Sequence, residues 1–291
     1  MVLLAGGFAV LAFPVSASPS APPAPRAAVS FTLYGDAAGG WGNASTNLAN
    51  PGPTLYVYQG QNVSITLHAV DSNIPHNWFI DFNGNNQMES GEVSSPDFSS
   101  SIGAVVFNFT VPMDRVGPET YLCRYHALTM RGQIVILTPP EITLYGSQVT
   151  GWAFVNNKTT SGPGPALYML FGTNLTIHLV SVDSAAVEHT WFVDYGNDTA
   201  ASGDPISGLF NSTSPGMYVY SPDRTGTFEY RCSIHPTTMA GVIVVLGNAP
   251  APPQGLQFNL VPGIMVATIV GVLILAAVYQ VRAVRAARRP K

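Results

Sequence analysis

The chain has 291 residues, only 10% of them charged, a formal net charge of -4, and abundant Gly (28) and Pro (24). That length suits two domains with real cores, and the charge-poor, turn-rich composition suits β structure. Of its twelve Lys and Arg, five (Arg282, Arg285, Arg288, Arg289 and Lys291) crowd the C-terminus, which leaves the rest of the chain acidic and unsuited to a nucleic-acid partner.

In chain order, Val2 to Phe13 form an apolar run too short to span a bilayer. Val15-Ser16-Ala17 supplies small residues for cleavage, so 1–17 reads as a signal peptide-like segment without the usual basic start. A Pro-rich linker occupies 18–28, and two domain-sized units follow at 29–138 and 141–247, divided by Pro139-Pro140. A second Pro-rich linker spans 248–259. The stretch Leu260 to Tyr279 carries no charge and has the length that crosses about 30 Å of hydrocarbon. A transmembrane helix over 260–281 is therefore expected, and the cations of the 282–291 tail place that end in the cytoplasm. The expected address is a single-pass membrane protein whose two units lie on the extracellular or periplasmic side.

The two units are one pattern written twice. Phe31-Thr32-Leu33-Tyr34-Gly35 with Trp41 recurs as Ile142-Thr143-Leu144-Tyr145-Gly146 with Trp152, and His76-Asn77-Trp78-Phe79-Ile80-Asp81 recurs as His189-Thr190-Trp191-Phe192-Val193-Asp194. Within each unit the periodicity is that of strands: Val63, Ile65 and Leu67 alternate with Ser64, Thr66 and His68. Each unit closes on an apolar run, Gly132 to Leu137 and Gly241 to Leu246. Short β-rich runs punctuated by Gly, Pro and Asn, with no long helical period before residue 260, predict two β-sandwiches.

Both cysteines fall in the same motif, Cys123-x2-His126-x3-Met130 and Cys232-x2-His235-x3-Met239. Two soft sulfur donors and an imidazole in one loop suit copper better than calcium or magnesium. A second imidazole is wanted at each site. Of the six histidines, His76 and His189 occupy equivalent repeat positions upstream of the cysteines, while His68 and His178 do not align with one another and sit on the polar phase of their strands. The expected sites are therefore His76, Cys123, His126, Met130 and His189, Cys232, His235, Met239. The competing reading of two cysteines in an exported chain is a Cys123–Cys232 disulfide; their equivalence within the repeat argues against it, because the bridge would force the two metal pockets together.

Here the residues reach a family. The run Pro53-x-Leu55-x-Val57-x-x-Gly60-x-x-Val63, an upstream His, a Tyr-x-Cys strand and a Cys-His-Met loop leading through Met-x-Gly into the last strand resemble the cupredoxins over nearly all of 29–247. The three residues between His and Met differ from the four usual in plastocyanin-like loops and the two in amicyanin-like ones. The resemblance implies an all-β chain of two tandem Greek-key β-sandwiches, each with a mononuclear type 1 (blue) copper that shuttles between Cu(I) and Cu(II). It implies a trigonal plane of Cys and two His with Met as weak axial ligand. It further implies that His126 and His235 lie near the surface and pass electrons to redox partner proteins, with Leu128 and Pro236 in the docking patch.

A third candidate site is the loop Asp81 to Glu92, whose oxygen-bearing residues at positions 1, 3, 5, 9 and 12 have EF-hand-like calcium spacing. The flanking helices are missing, and a polar hairpin loop is the competing account. Three functions follow for the whole: electron transfer at a membrane surface, copper storage, delivery or sensing, or a two-domain copper oxidoreductase of the nitrite reductase or multicopper oxidase kind. The last wants His beside the Cys and His-x-His pairs for further copper. Leu122 precedes Cys123, Arg231 precedes Cys232, and no His-x-His occurs.

Overall fold

A computed structural model describes residues 27–156 and 163–247. The signal-like segment, the transmembrane helix and the basic tail expected from the sequence lie outside the described residues.

The described chain is all-β, with seventeen strands and no helix among the described residues. In the first unit a five-stranded sheet runs in the order β3-β2-β1-β5-β7, built from β1 (Val29–Asp36), β2 (Gly40–Gly42), β3 (Leu48–Ala49), β5 (Asn62–Ala69) and β7 (Val105–Thr110). Facing it is a four-stranded sheet in the order β4-β9-β8-β6, from β4 (Leu55–Tyr58), β6 (Phe79–Asp81), β8 (Gly117–Leu122) and β9 (Arg131–Leu137). β1 pairs in parallel with β5, and β4 in parallel with β9, so the chain crosses between the sheets instead of running as simple hairpins.

The second unit repeats this. One sheet has β10 (Glu141–Ser147), β11 (Gly151–Ala153), β13 (Leu175–Ser181) and β15 (Gly216–Tyr220); the other has β12 (Leu167–Leu170), β14 (Phe192–Asp194), β16 (Gly226–Arg231) and β17 (Ala240–Leu246). Their orders are β11-β10-β13-β15 and β12-β17-β16-β14. The same two parallel pairs recur as β10 with β13 and β12 with β17.

The alternation in the sequence is the burial pattern of the strands. On β5, Val63, Ile65 and Leu67 are buried while Ser64 and Thr66 are only partly so. Leu33, Val63, Ile65 and Leu67 of one sheet share a single core with Leu55, Val57, Ile80, Tyr121, Ile134 and Ile136 of the other, which makes the pair a sandwich. β9 differs from its counterpart β17. Ile134 through Leu137 are all buried, whereas β17 alternates. The reason lies at the joint between the units, where Thr138 N–H donates to the Tyr168 carbonyl and Tyr168 N–H to Thr138 Oγ1, each at 2.8 Å. Gly117, in the left-handed region at φ 99°, lets the Tyr168 ring approach to a distance at which a side chain's Cβ would lie 3.0 Å from it.

The residue two before each cysteine ties the metal end of the sandwich together. Tyr121 is fully buried and its hydroxyl donates to the Pro53 carbonyl at 2.7 Å; Tyr230 does the same to Pro165 at 2.7 Å. Each ring closes on the glycine of the Met-x-Gly motif, where a Cβ on Gly132 or Gly241 would collide with the tyrosine Cζ, which explains why that position carries no side chain. Tyr121→Phe removes the donor and leaves a carbonyl with one partner fewer, so urea unfolding of the variant is expected to show a loss of about 1–2 kcal/mol, with Tyr230→Phe matching it. An unchanged midpoint would mean that the ring alone fixes this end.

Candidate metal centres

Each centre is assembled from one loop residue and one strand-end loop. His76 precedes β6 and is held by a two-way backbone bridge to Phe98: His76 N–H donates to the Phe98 carbonyl at 2.8 Å, and Phe98 N–H returns to the His76 carbonyl at 2.9 Å. His189 and Phe210 repeat the bridge at 2.9 Å in both directions. Cys123 follows β8 directly. Its N–H donates to the Met130 carbonyl at 3.0 Å while Met130 N–H donates to the His126 carbonyl at 2.8 Å, so the loop closes on itself before β9 begins. In the second unit the Cys232–Met239 and Met239–His235 bonds are both 3.0 Å.

This geometry brings together His76, Cys123 and His126 in one group and His189, Cys232 and His235 in the other, with the donor atoms of each group all within 4.8 Å of one another. Cys123 Sγ lies 4.0 Å from His76 Nδ1 and 3.6 Å from His126 Nδ1. Cys232 Sγ lies 4.0 Å from His189 Nδ1 and 3.7 Å from His235 Nδ1. Three donors in a plane around a metal at bond lengths of about 2.0–2.3 Å stand roughly 3.5–4 Å apart, so the residues fit a trigonal site as they stand. Met130 and Met239 are fully buried beside them, each with its methyl against Gly35 or Gly146, where a Cβ would meet Cε at 2.6 or 2.8 Å. A thiolate, two imidazoles and a thioether suit copper with a weak axial sulfur.

Both cysteines are free and buried, which removes the disulfide reading. The first His and the Cys of each group are fully buried, while His126 and His235 are partly exposed. His68 and His178 stand apart, as their strand phase predicts: His68 stacks on Tyr34 at 4.7 Å between ring centres, and His178 pairs with Glu141 at 2.8 Å on an exposed face. Trp78 and Trp191 are core aromatics, fully buried. Arg124 pairs with Asp97 at 2.6 Å near the surface, and Arg231 pairs with Glu229 and with Asp194.

Two functional residues escaped the sequence reading. Asp71 Oδ1 accepts from His76 Nε2 at 2.7 Å, which fixes the proton on Nε2 and turns Nδ1 toward the cysteine. Asp183 Oδ2 stands 3.1 Å from His189 Nε2, close enough for attraction but not aligned as a hydrogen bond, since among the described residues Nε2 there has no hydrogen-bond partner. The repeat did carry the signal: Val70-Asp71-Ser72 matches Val182-Asp183-Ser184 at the same offset as the neighbouring strands. The electrostatics of the two histidines differ accordingly. Burial pulls His76 down, but hydrogen bonds to Cys123 and Asp71 outweigh it, and its pKa is raised. For His189, burial dominates the opposing attraction of Asp183, and the pKa is lowered. Burial, with the charge of His76, also lowers His126.

The loop Asp81 to Glu92 spends its oxygens on itself. Asp81 accepts from the backbone N–H groups of Gly84, Asn85 and Asn86, and Glu92 accepts from those of Phe82 and Glu89. Glu89 accepts from the side-chain amides of Asn83 and Asn85. The acidic groups there do not converge; among the described residues only the two His-Cys-His groups bring three such donors together. The polar hairpin account fits the loop, and calcium enters no further step.

No family model matches the chain, and no curated protein matches it. Among solved structures it is similar to auracyanin A, a blue copper protein from Chloroflexus aurantiacus, at 19% identity over 38% of this chain and 99% of that one, with a TM-score of 0.30. It is also similar to a multicopper oxidase, at 14% identity over 75% of this chain and 88% of that one (TM-score 0.26). A copper nitrite reductase from Nitrosomonas europaea matches at 14% identity over 77% and 96% (TM-score 0.26). Likenesses this loose bear no weight on function, so the assignment rests on the strands and donors described above. Two tandem β-sandwiches, each bringing a buried Cys together with two His and carrying a buried Met in the same loop, agree with the two cupredoxin-like domains and the two copper-binding donor sets expected from the sequence.

Proposed function

We propose that the chain is a one-electron carrier with two type 1 copper centres, tethered to a membrane by the 260–281 stretch with its copper domains on the extracytoplasmic side. The observation that carries the electron-transfer reading is the pre-shaped donor set: Cys, His and His already stand at trigonal spacing with two of the three fully buried. Copper bound there supplies a reversible Cu(I)/Cu(II) couple. The backbone bridges to Phe98 and Phe210 hold the first His, the Cys–Met backbone bond holds the loop, and at the first centre Asp71 fixes the ring orientation of His76. Little in the site has to move when its charge changes.

The partly exposed His126 and His235 then form the point of electron exchange. Leu128, 83% exposed, flanks the first, and Ile234, 47% exposed, flanks the second, offering apolar contact to redox partner proteins. Against catalysis stands the donor inventory: four of six histidines belong to the two centres and no His-x-His pair exists for a substrate-binding copper. The membrane tether rests on the charge-free run and its cationic tail.

The test is to load the full-length chain, in detergent, with Cu(II). Two coppers per chain, an intense thiolate-to-copper visible band and a reversible potential are expected. Colourless copper that exchanges freely would replace this reading with storage or delivery. Membrane fractionation with protease treatment from each side checks the tether: cleavage of the copper domains from the cytoplasmic side would overturn the orientation.

A further inference from the structure

The two centres share a ligand set but not their surroundings. At the first, Asp71 presses one oxygen onto His76 Nε2–H at 2.7 Å, and its other oxygen takes a single N–H, that of Ala37, at 2.8 Å. At the second, Asp183 is divided among more donors: Ser147 Oγ–H at 3.0 Å on Oδ1 and Gln148 N–H at 2.7 Å on Oδ2. Its contact with His189 is longer and unaligned. The side chains of Asp71 and Asp183 are almost equally exposed, 11% and 12%, so solvent does not level the contrast. A carboxylate hydrogen-bonded behind an imidazole makes it a stronger donor and favours the more highly charged metal ion. That effect is larger at the first centre.

The cysteines differ in the complementary sense. Thr190 N–H donates to Cys232 Sγ at 3.4 Å. A clamp holds it there: Ser233 N–H donates to Thr190 Oγ1 at 2.9 Å, and the two hydroxyls meet at 2.8 Å. The first centre has Asn77 and Arg124 at these positions. The Asn77 side-chain amide donates to the Ser95 carbonyl and Arg124 turns outward to Asp97, so neither forms a clamp like that of Thr190 and Ser233. Among the described residues Cys123 Sγ has only its two histidines as partners. A hydrogen bond to the thiolate withdraws electron density from the metal and favours the lower charge. That effect belongs to the second centre. The differences are written in residue types, Asn77 against Thr190 and Arg124 against Ser233.

We propose that the two centres are poised at unequal potentials, the His76–Cys123–His126 centre below the His189–Cys232–His235 centre, with Asp71, Asp183 and Thr190 as the positioning residues that set the gap. This rests on the type 1 copper reading. In the half-reduced chain the single electron rests on the second centre, giving the protein a donor-facing domain and an acceptor-facing domain.

The experiment is a spectroelectrochemical titration of the copper-loaded full-length chain, following the visible band and EPR. Cys232→Ser isolates the first centre and Cys123→Ser the second, with every aspartate intact in both. The second centre's midpoint is expected to be higher by at least tenfold in equilibrium constant, about 59 mV for a one-electron couple. Asp71→Asn is expected to raise the first midpoint, Asp71→Glu to restore part of the shift, and Asp183→Asn to move the second midpoint less. In the copper-free chain, nitrogen NMR should find His76 as the Nε2–H tautomer, a preference weakened by Asp71→Asn. Equal or reversed midpoints in the two Cys variants overturn the proposal, and that comparison decides the order even where an Asp variant fails to fold. Absence of any blue band in both variants would instead sink the copper reading itself.

Discussion

Cys123→Ser is expected to abolish the visible copper band of the first centre and leave that of the second, so that roughly half the absorption of the loaded chain survives. The double variant Cys123→Ser/Cys232→Ser is expected to be colourless. The band requires a thiolate bonded to copper, and serine's hydroxyl neither ionises at neutral pH nor donates softly enough to replace it. The backbone has no reason to follow. Cys123 is bound into its loop through its own N–H to Met130, which serine retains, and it is a small buried side chain at the strand end. A variant that folds normally, binds copper weakly at the first site and keeps the second site's spectrum would separate ligand loss from unfolding. Disappearance of both bands on the single substitution would show that the two centres are not independent and would count against two self-contained domains.

The fold and the donor sets were legible for a common reason: duplication. A single Cys-His-Met loop is a short motif open to other readings, but the second copy fixed which further histidines belong to it, because of the four outside the loops only His76 and His189 hold equivalent positions. Strand phase did the same for the core. Val63, Ile65 and Leu67 are buried on β5 as their alternation requires. His68 and His178, on the opposite phase, lie at the surface.

Less local features were harder to read. Asp71 and Asp183 belong to the centres only because the turn after β5 and after β13 folds back over the ligand histidine, and a polar residue in a turn is ordinarily explained by solvent or capping. The double burial of β9 was illegible for a related reason. Gly132 to Leu137 reads like Gly241 to Leu246, yet β9 alone is covered on its outer face, by an edge of the other unit that no periodicity within the strand reports. The asymmetry between the centres lies in substitutions, Asn77 for Thr190 and Arg124 for Ser233, that a comparison seeking likeness passes over.

Trp191→Ala is expected to cost about 3–5 kcal/mol of stability and to take the second centre with it. Trp191 is fully buried, with its ring against Tyr218, Tyr220 and Tyr230 at centroid distances of 5.8, 5.6 and 5.7 Å. Truncation opens a large cavity among stiff aromatic side chains that relax poorly into it, which places the cost at the upper end for a core substitution. The same residue spaces Thr190, whose N–H meets Cys232, from β14, so a loosened ring pocket also loosens the ligand-bearing segment. Trp191→Phe is expected to cost less. It keeps much of the ring packing, and the indole Nε1 it removes has no hydrogen-bond partner among the described residues, so no acceptor there is orphaned. Denaturant unfolding of the loaded chain, followed at the visible band and by far-ultraviolet circular dichroism, reads both effects. The Ala variant should lose the second centre's band at lower denaturant while the first centre's holds. A loss below about 1 kcal/mol would mean that the core of the second sandwich is carried by its aliphatic strands, Ile177, Leu179 and Ile243 among them, and not by the aromatic stack beneath the metal end.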